Sequence, residues 1–524
     1  REDHFAKVHP DSHALAIDPR NPKRLLLGTD GGVYESWNGG AAWRHVDTFA
    51  AGEFYRIAVD SSRPYRICGG LQDNLNWVGP SETRTKEGIV NSNWINIYGG
   101  DGFYCVFDPD DPQIVYAESQ SGSIHRLHLG SGAVKSLRPE PAEGQEAFRF
   151  HWNSPFIPSR HGKGTMYLAG NRVFALTDRA ERWRVISHDL STRQVDRILT
   201  VGSGAETYGV IYALAESPIV PGLLWAGTDD GKLWVTENEG RTWTDLTGSL
   251  PAEARGQWIT RIEPGAHDAS VAYLVVSAFR SGDYRPLVYR TADRGRTWQS
   301  LAATLRQDEP VRVVREDPKN PRLLFLGAEF GLYVSLDGGA GWIPFGGIPT
   351  VPVDDLVVHP RDDDLVIATH GRSLYIVDDI RPLRELAGEV REKAAHLFPV
   401  AAAEAFVPLP GWADWAGGAV YRGANPAPGA TITVWVKEFT GKSISLAITG
   451  PGGIPVANLE APGTPGLTRV TWDLKMTKDL LTEYGGEGAD TFVRPGEYEV
   501  TLTYGQVTEK QTFTVTAAPK IETR

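Results

Sequence analysis

Val313-Val314-Arg315-Glu316-Asp317-Pro318, then Leu324-Phe325-Leu326-Gly327-Ala328-Glu329-Phe330-Gly331-Leu332-Tyr333, then Ser335-Leu336-Asp337-Gly338-Gly339-Ala340-Gly341-Trp342, is the stretch that decides the fold. It reads as an apolar strand, an Asp-Pro turn, and a second apolar strand ending in small residues. One polar residue and a Gly follow, then an aromatic strand and a Gly-rich hairpin. The phrase also runs from Leu15-Ala16-Ile17-Asp18-Pro19 through Leu25-Leu26-Leu27-Gly28-Thr29-Asp30-Gly31-Gly32-Val33-Tyr34. Weaker copies occupy 57–74, 106–120, 156–171, 214–229, 262–280 and 356–370. Eight copies about 40 to 60 residues apart have the period of four-stranded propeller blades. An all-β chain is expected, with an eight-bladed β-propeller over 1–380 and seven blades as the alternative.

Four copies end in S/T-x-D/N-x-G-x-x-W: Ser36 to Trp43, Thr236 to Trp243, Thr291 to Trp298 and Ser335 to Trp342, with a degenerate Thr177-Asp178 and Trp183. The pattern resembles the Asp box of BNR-repeat propellers, a group that holds sialidases, xyloglucanase-type glycosidases and the sortilin (VPS10) receptors. Physically it is a hairpin between a blade's third and fourth strands. Asp or Asn caps turn amides, Gly takes positive φ, and Trp packs between blades. Such boxes belong on the outer rim and have a structural role.

A closer resemblance rests on Gly69-Gly70-Leu71-Gln72-Asp73-Asn74, Asn91-Ser92-Asn93-Trp94 with Gly99-Gly100-Asp101-Gly102-Phe103, Tyr116-Ala117-Glu118-Ser119-Gln120-Ser121-Gly122 and Trp152-Asn153-Ser154-Pro155. These are similar to a bacterial family labelled sortilin-like or "BNR glycosyl hydrolase". The family is commonly about twice this long, with another propeller ahead of the equivalent of His9 to Leu15, so the chain resembles its C-terminal half. The resemblance implies fold more than activity. It also leaves the blade count open, since the first repeat would serve to complete a neighbouring propeller.

Among 524 residues, Lys+Arg is 53 and Asp+Glu is 65, a net charge of −12 with pI near 5.6. That argues against a nucleic-acid or anionic-membrane binder, which needs a basic face. No run of about 18 apolar residues suits a membrane-spanning helix. Gly 57 and Pro 35 fit many short strands joined by tight turns. Two cysteines, Cys68 and Cys105, make neither a disulfide framework nor a zinc cluster; one bridge and two buried thiols both remain open. The first residue is Arg1, so a processed or truncated chain is expected. Two Cys and two Met fit an extracytoplasmic protein: secreted, periplasmic or at the cell surface.

After His370 to Val377 the repeat stops. Residues 381–428 read as a linker, helical over Arg381 to His396 and irregular thereafter. Alternating strands from Thr431 onward predict an Ig- or fibronectin-III-like β-sandwich over 429–518, with a tail at 519–524.

In every blade the turn between second and third strands opens on the same face as the entry to the first, channel-lining strand. The polar residue ending strand two therefore recurs around one rim: Asp30, Gln72 with Asp73, Gln120, Asn171, Asp229 with Asp230, Arg280, Glu329 and His370. Asp11, His13, Tyr55, Asp101, Trp152, Asn153, Tyr208 and Trp258 precede the inner strands and point to the same mouth. Loops on a rigid scaffold are a usual ligand site. Trp94, Trp152 and Trp258 offer flat surfaces on which sugar C–H faces stack, while carboxylates and amides bond hydroxyls. A glycosidase needs two carboxylates about 5 to 9 Å apart. Glu329 with Asp229 is the best catalytic pair, Asp230 its near equivalent, Asp73 and Asp101 its rivals. The bland reading is that a polar residue before Gly caps a loop amide.

Sialidase chemistry is disfavoured because the class's Arg-Ile-Pro segment is absent, and a xyloglucanase-like cleft would need a second propeller. His9-x-Asp11-x-His13 would face one way on an extended segment, but no fourth ligand is visible, so no metal and no cofactor is assigned. His125 and His128, three apart on a strand, point to opposite faces. Asp108-Pro109-Asp110-Asp111 and Arg361-Asp362-Asp363-Asp364 read as solvated turn carboxylates rather than calcium ligands. The expected function is an exported sortilin-like module that binds a peptide, protein or glycan at the rim, with a second propeller domain or subunit as a further partner. The alternatives are a glycoside hydrolase using paired rim carboxylates and a structural subunit of a cell-surface assembly.

Overall fold

The computed structural model describes residues 8–198, 207–409, 420–481 and 492–517. Two compact units divide the chain: Arg1–Thr83, Ile89–Ile380 and Trp415–Gly423 in the first, Arg84–Gly88, Arg381–Asp414 and Ala424–Arg524 in the second.

The first unit is a succession of antiparallel sheets, each a simple meander, the architecture of a β-propeller. Sheet I comprises Ser12–Asp18, Asn21–Thr29, Gly32–Ser36 and Arg44–His45. Sheets II to VIII begin with Phe54–Val59, Cys105–Phe107, Phe156–Pro158, Ile211–Glu216, Trp258–Pro264, Val311–Asp317 and Val353–Val358. Sheets I to VII are four-stranded and sheet VIII is three-stranded among the described residues. The turn from first to second strand is set by an aspartate that caps the following amides. Asp317 takes the N–H of Lys319 at 2.9 Å and of Asn320 at 2.8 Å. Asp108 does the same for Asp110 and Asp111, at 3.0 and 3.1 Å, and Tyr116 Oη donates to its other oxygen. Asp364 accepts Tyr65 Oη and the Asp379 N–H. These acidic clusters thus have turn-building work.

Apolar faces lock each sheet to the next. Cys68, Val78, Cys105, Phe107 and Val115 form one core between sheets II and III. Ile114, Tyr116, Phe156 and Met166 join III to IV, Tyr167 and Ala169 pack with Ile211 and Leu224 between IV and V, and Trp225 meets Ile259 and Leu274 between V and VI. Val271 and Tyr273 of VI cover Val314, Leu324 and Leu326 of VII, and Val353 of VIII approaches Gly327 of VII. Phe54, Ile57 and Ile67 of sheet II then pack on Val366 and Ala368 of sheet VIII, so II and VIII are neighbours although they stand far apart in sequence. Cys68 and Cys105 form a disulfide with Cα atoms 5.6 Å apart, joining sheet II to sheet III.

The S/T-x-D/N-x-G-x-x-W segments lie between third and fourth strands and repeat one hydrogen-bond scheme. In Thr291 to Trp298, Thr291 Oγ1 donates to Asp293 at 2.8 Å and accepts the Gly295 N–H, while Asp293 accepts the Thr297 N–H at 2.9 Å. Gly295 has φ 81°, where a side chain would be strained. The indole N–H then reaches the preceding sheet: Trp243 bonds Ile186 O, Trp298 bonds Ser249 Oγ, and Trp342 bonds Leu301 O.

Sheet I has the same register and the same box, yet three of its apolar side chains face solvent, Leu15 at 58%, Ile17 at 57% and Leu26 at 37%, while Leu27 is buried. In sheet VII the equivalent Val314 and Phe325 are fully buried.

The second unit is a two-sheet sandwich. One sheet orders Ala395–Leu397, Ala430–Val436 and Gly466–Trp472; the other orders Ala403–Ala405, Val507–Ala517, Gly496–Tyr504, Ile444–Thr449 and Pro455–Ala461. Alternation places Ile444, Leu446 and Ile448 inside with Trp472, Tyr498 and Phe513. The helical reading of 381–396 needs correcting. The helix covers only Arg381–Leu386, a short 3₁₀ turn takes Glu389–Glu392 after Gly388, and Ala395–Leu397 is already a strand. Gly388 is a poor helix residue, and burial of Ala395 and Leu397 in the sandwich core outweighs local helix preference.

Candidate functional site

The inner strands of the first unit carry charges where a half-buried strand would carry only apolar side chains. Arg56 comes from sheet II, Arg261 and Glu263 from VI, Arg315 from VII, and Asp355 from VIII. Asp355 Oδ1 forms an ion pair with Arg261 Nη2 at 3.1 Å and accepts Arg315 Nη2 at 3.0 Å, and its Oδ2 accepts the Ile57 N–H at 3.2 Å, while Arg261 Nη2 donates to Asp354 O at 2.9 Å. Arg315 also pairs with Glu263. Burial pushes the Asp355 carboxyl up, but Arg261, Arg315 and Arg56 more than reverse this and hold it below its ordinary value. Arg261, enclosed and facing Arg56, falls to about 10.

One end of this column carries the turns between second and third strands, and three groups form there. In the first, His370 Nδ1 lies 3.1 Å from Glu53 and 3.3 Å from Asp354, while Arg312 bonds Asp354 at 2.5 Å and Glu329 at 2.8 Å. The hydrogen bond that His370 donates to Asp354 raises the His370 pKa, and burial raises that of Glu53. In the second, Asp101 accepts the Asp73 N–H at 2.7 Å and the Trp152 indole N–H at 2.6 Å; burial and the nearby Asp73 lift its carboxyl. The third gathers aromatic rings. Trp258 lies 4.6 Å from Tyr212 and 6.0 Å from His151 between ring centroids, with the Arg280 guanidinium 4.0 Å above its face. Burial, then Arg280, lowers the His151 pKa to about 3, so this imidazole is neutral. Asn153, 4% exposed, has neither its amide oxygen nor its amide nitrogen bonded, and the Trp258 N–H is also without an acceptor among the described residues.

Asp229 is the most perturbed rim carboxylate for which a value is resolved. Its Oδ1 accepts the Val210 N–H at 2.9 Å and the Gly209 N–H at 3.1 Å, yet burial and the adjacent Asp230 push its pKa to about 7. An acid raised in the folded state is protonated there while it ionises in the unfolded chain. Wild-type stability therefore loses a contribution as pH climbs from about 4 to 7, at up to about 1.4 kcal/mol per pH unit. Asp229→Asn is expected to remove this decline. Urea unfolding at pH 4.5 and 7.5 should show the variant gaining on wild type at the higher pH, and an equal gap at both values would refute a raised pKa.

The other rim residues divide. Gln72 takes the Tyr55 hydroxyl and Gln120 the Ser119 hydroxyl. Asn171 accepts the Arg149 N–H and donates to Asp189, and Asp230 accepts Thr192 N–H, Thr192 Oγ1 and Thr228 Oγ1, so both brace loops. Asp11, His13 and Asp30 belong to sheet I; His13 pairs with Asp30, and His9 bonds Asp73 O instead of joining them. Trp94 lies over Gly79 and near Phe54, filling a core. Arg312 bonds Glu329, while Asp229 is held by the Gly209 and Val210 amides. Among the described residues no three His, Cys, Asp or Glu gather as a metal site, and no helix is long and apolar enough to cross a membrane.

The sequence reading missed Glu53, Arg312, Asp354, the column of Arg56, Arg261, Arg315 and Asp355, and a set of exposed rings. Phe279 is 45% exposed, Tyr284 56% and Phe330 42%, all on turns between second and third strands. Arg306 lies 4.8 Å over Phe330, as Arg280 lies over Trp258. The available signal was charge within otherwise apolar inner strands, as in Val311-Arg312-Val313-Val314-Arg315.

No family model and no curated protein sequence matches the chain. Among solved structures it is similar to PorZ, a bacterial surface component of the type-IX secretion system of Porphyromonas gingivalis, at 13% identity and TM-score 0.44, over 94% of this chain and 64% of that one. It is also similar to YCF48 from Cyanidioschyzon merolae, at 14% identity and TM-score 0.36, over 63% of this chain and 94% of that one. The computationally designed Ika8 protein aligns at 13% identity and TM-score 0.38, over 71% of this chain and 97% of that one.

Proposed function

We propose that the chain is an exported, sortilin-like β-propeller binding module whose ring consists of sheets II to VIII, a count of seven, with sheet I outside it. Its ligand is a peptide or protein surface seated on the rim of sheets VI and VII. One observation carries this reading: Phe279, Tyr284 and Phe330 stand exposed on the turns of one channel end, with Arg280 and Arg306 laid over rings beside them. Exposed large rings and arginines are what protein interfaces concentrate at their energetic centres. Asn153, Asp101 and the Trp258 N–H supply polar recognition behind them. The buried disulfide supports an extracytoplasmic setting, since such bonds persist where the surroundings oxidise. The four Asp boxes and the Ig-like sandwich fit the same class of surface protein.

The test is peptide phage display on the immobilised chain, followed by affinity measurement of a selected peptide. Phe279→Ala with Arg280→Ala is expected to weaken it about 30-fold or more, the loss typical of a hot spot. Peptides that bind the double variant unchanged would sink the rim assignment. A glycan array run alongside decides whether sugars are the ligand instead. The glycosidase reading has Asp229 as its acid, its carboxyl raised by burial to about 7. Reducing-sugar release that disappears in Asp229→Asn would establish it. Arg312 on Glu329 counts against that pair.

A further inference from the structure

The charges between the inner strands supply an inference independent of the rim. Three guanidinium groups, Arg56, Arg261 and Arg315, share two carboxylates there, Asp355 and Glu263. Arg261 and Arg315 take both. Arg56, 8% exposed, has no carboxylate within ion-pair distance among the described residues. Its Nη1 donates to Tyr55 O at 2.8 Å, and its guanidinium lies 5.5 Å from the Tyr104 ring centre and 6.0 Å from that of Tyr212. Phenols are neutral at pH 7 and cancel no charge. The other acids nearby make poor counter-ions for it. Arg312 holds Asp354 and Glu329, and burial raises the Glu118 carboxyl well above its ordinary value in spite of the Ser154 and Tyr104 amides and Arg56. The Nε atoms of Arg56 and Arg261 are buried without an acceptor among the described residues.

The neighbourhood has room as well as charge. Arg315 and Tyr212 lie deep in the unit, yet Arg315 keeps 23% of its side-chain surface and Tyr212 is only partly buried, so accessible space lies between the inner strands. We propose that a small inorganic anion of single charge binds between the inner strands at Arg56 and Arg261, beside Tyr104 and Tyr212. Every polar side-chain atom of the two arginines is a donor, so the ligand accepts hydrogen bonds. A water accepts them too, but leaves one guanidinium charge uncancelled, and buried charge is costly unless paired. One surplus positive charge calls for one negative. Burial and Arg56 together pull the Arg261 pKa down to about 10, the direction that an unmet positive charge dictates. The anion thus links sheet II to sheet VI.

Urea unfolding of the 524-residue chain at pH 7, with chloride exchanged for gluconate at constant ionic strength, tests this. Raising chloride from zero to about 300 mM is expected to lift the folded-to-unfolded ratio about 10-fold, the linkage for a site half-filled at about 30 mM. Arg56→Met removes the surplus charge and is expected to lose the response. Arg322→Met, which removes an exposed arginine, is expected to keep it. Wild-type crystals soaked in bromide are expected to show an anomalous peak beside the Arg56 and Arg261 guanidinium groups, a reading that stands even where Arg56→Met fails to fold. A wild type indifferent to chloride would overturn the proposal. So would a response that persists in Arg56→Met or is lost equally in Arg322→Met, or bromide found only on the outer surface.

Discussion

Asp355→Asn is expected to cost the first unit about 3 to 5 kcal/mol, because it breaks a buried ion cluster from one side only. The carboxylate bonds Arg261 of sheet VI, Arg315 of sheet VII and the Ile57 N–H of sheet II, while standing on sheet VIII. Four sheets thus meet on one side chain. Asparagine keeps the shape but leaves Arg56, Arg261 and Arg315 with Glu263 as the remaining acid of this group. Urea unfolding of the two proteins at pH 7 measures the difference. A loss below 1 kcal/mol would mean that the guanidinium groups are neutralised by something other than Asp355. The pH dependence carries its own sign. A carboxyl held below its ordinary value stabilises the fold at pH above about 4, and that contribution fades as pH falls through the folded value. The variant should therefore lack part of the wild type's acid sensitivity, and only below pH 4.

The second large effect is on the disulfide. Cys68 and Cys105 close a span of 37 positions, which the chain-entropy account values at about 4 kcal/mol. Cys68→Ala with Cys105→Ala should show a loss near that size. Both sulfurs are buried between sheets II and III, so part of the loss is packing rather than cross-linking. Wild type unfolded with and without reductant separates the two parts. If reduction changes nothing, the cross-link contributes nothing and only packing remains.

The repeat was legible because a blade writes its turns into sequence: Asp-Pro after the first strand, a polar residue and Gly after the second, the box after the third. Those chemistries are local, so eight copies could be counted by eye and eight sheets follow. Which sheet covers which is not local. Sheet I and sheet VII carry the same pattern, and what separates them is whether another sheet covers Leu15 as Val271 and Tyr273 cover Val314. The rim shows the same limit. Asp229, Arg280 and Trp258 were named from their place before or after a strand. Asp230 and Asn171 share that signal but are spent on Thr192, Thr228, Arg149 and Asp189, partners from loops of no fixed spacing. Arg312 and Asp354 carry no turn signal, and only the packing of sheets VII and VIII brings Arg312 to Asp354 and Arg315 to Asp355.

The contact between sheets II and VIII also sets a schedule for synthesis. Ile57 and the Asp355 carboxylate that its N–H meets are 298 positions apart, and His359 reaches Asp60 across 299. At roughly 5 to 20 residues per second a chain needs about 15 to 60 seconds to make that span. Throughout it, Phe54, Ile57 and Ile67 have no Val366 or Ala368 to lie against. The half-made unit is an open fan with an apolar edge on sheet II. That edge stays uncovered until Leu365–Thr369 has emerged.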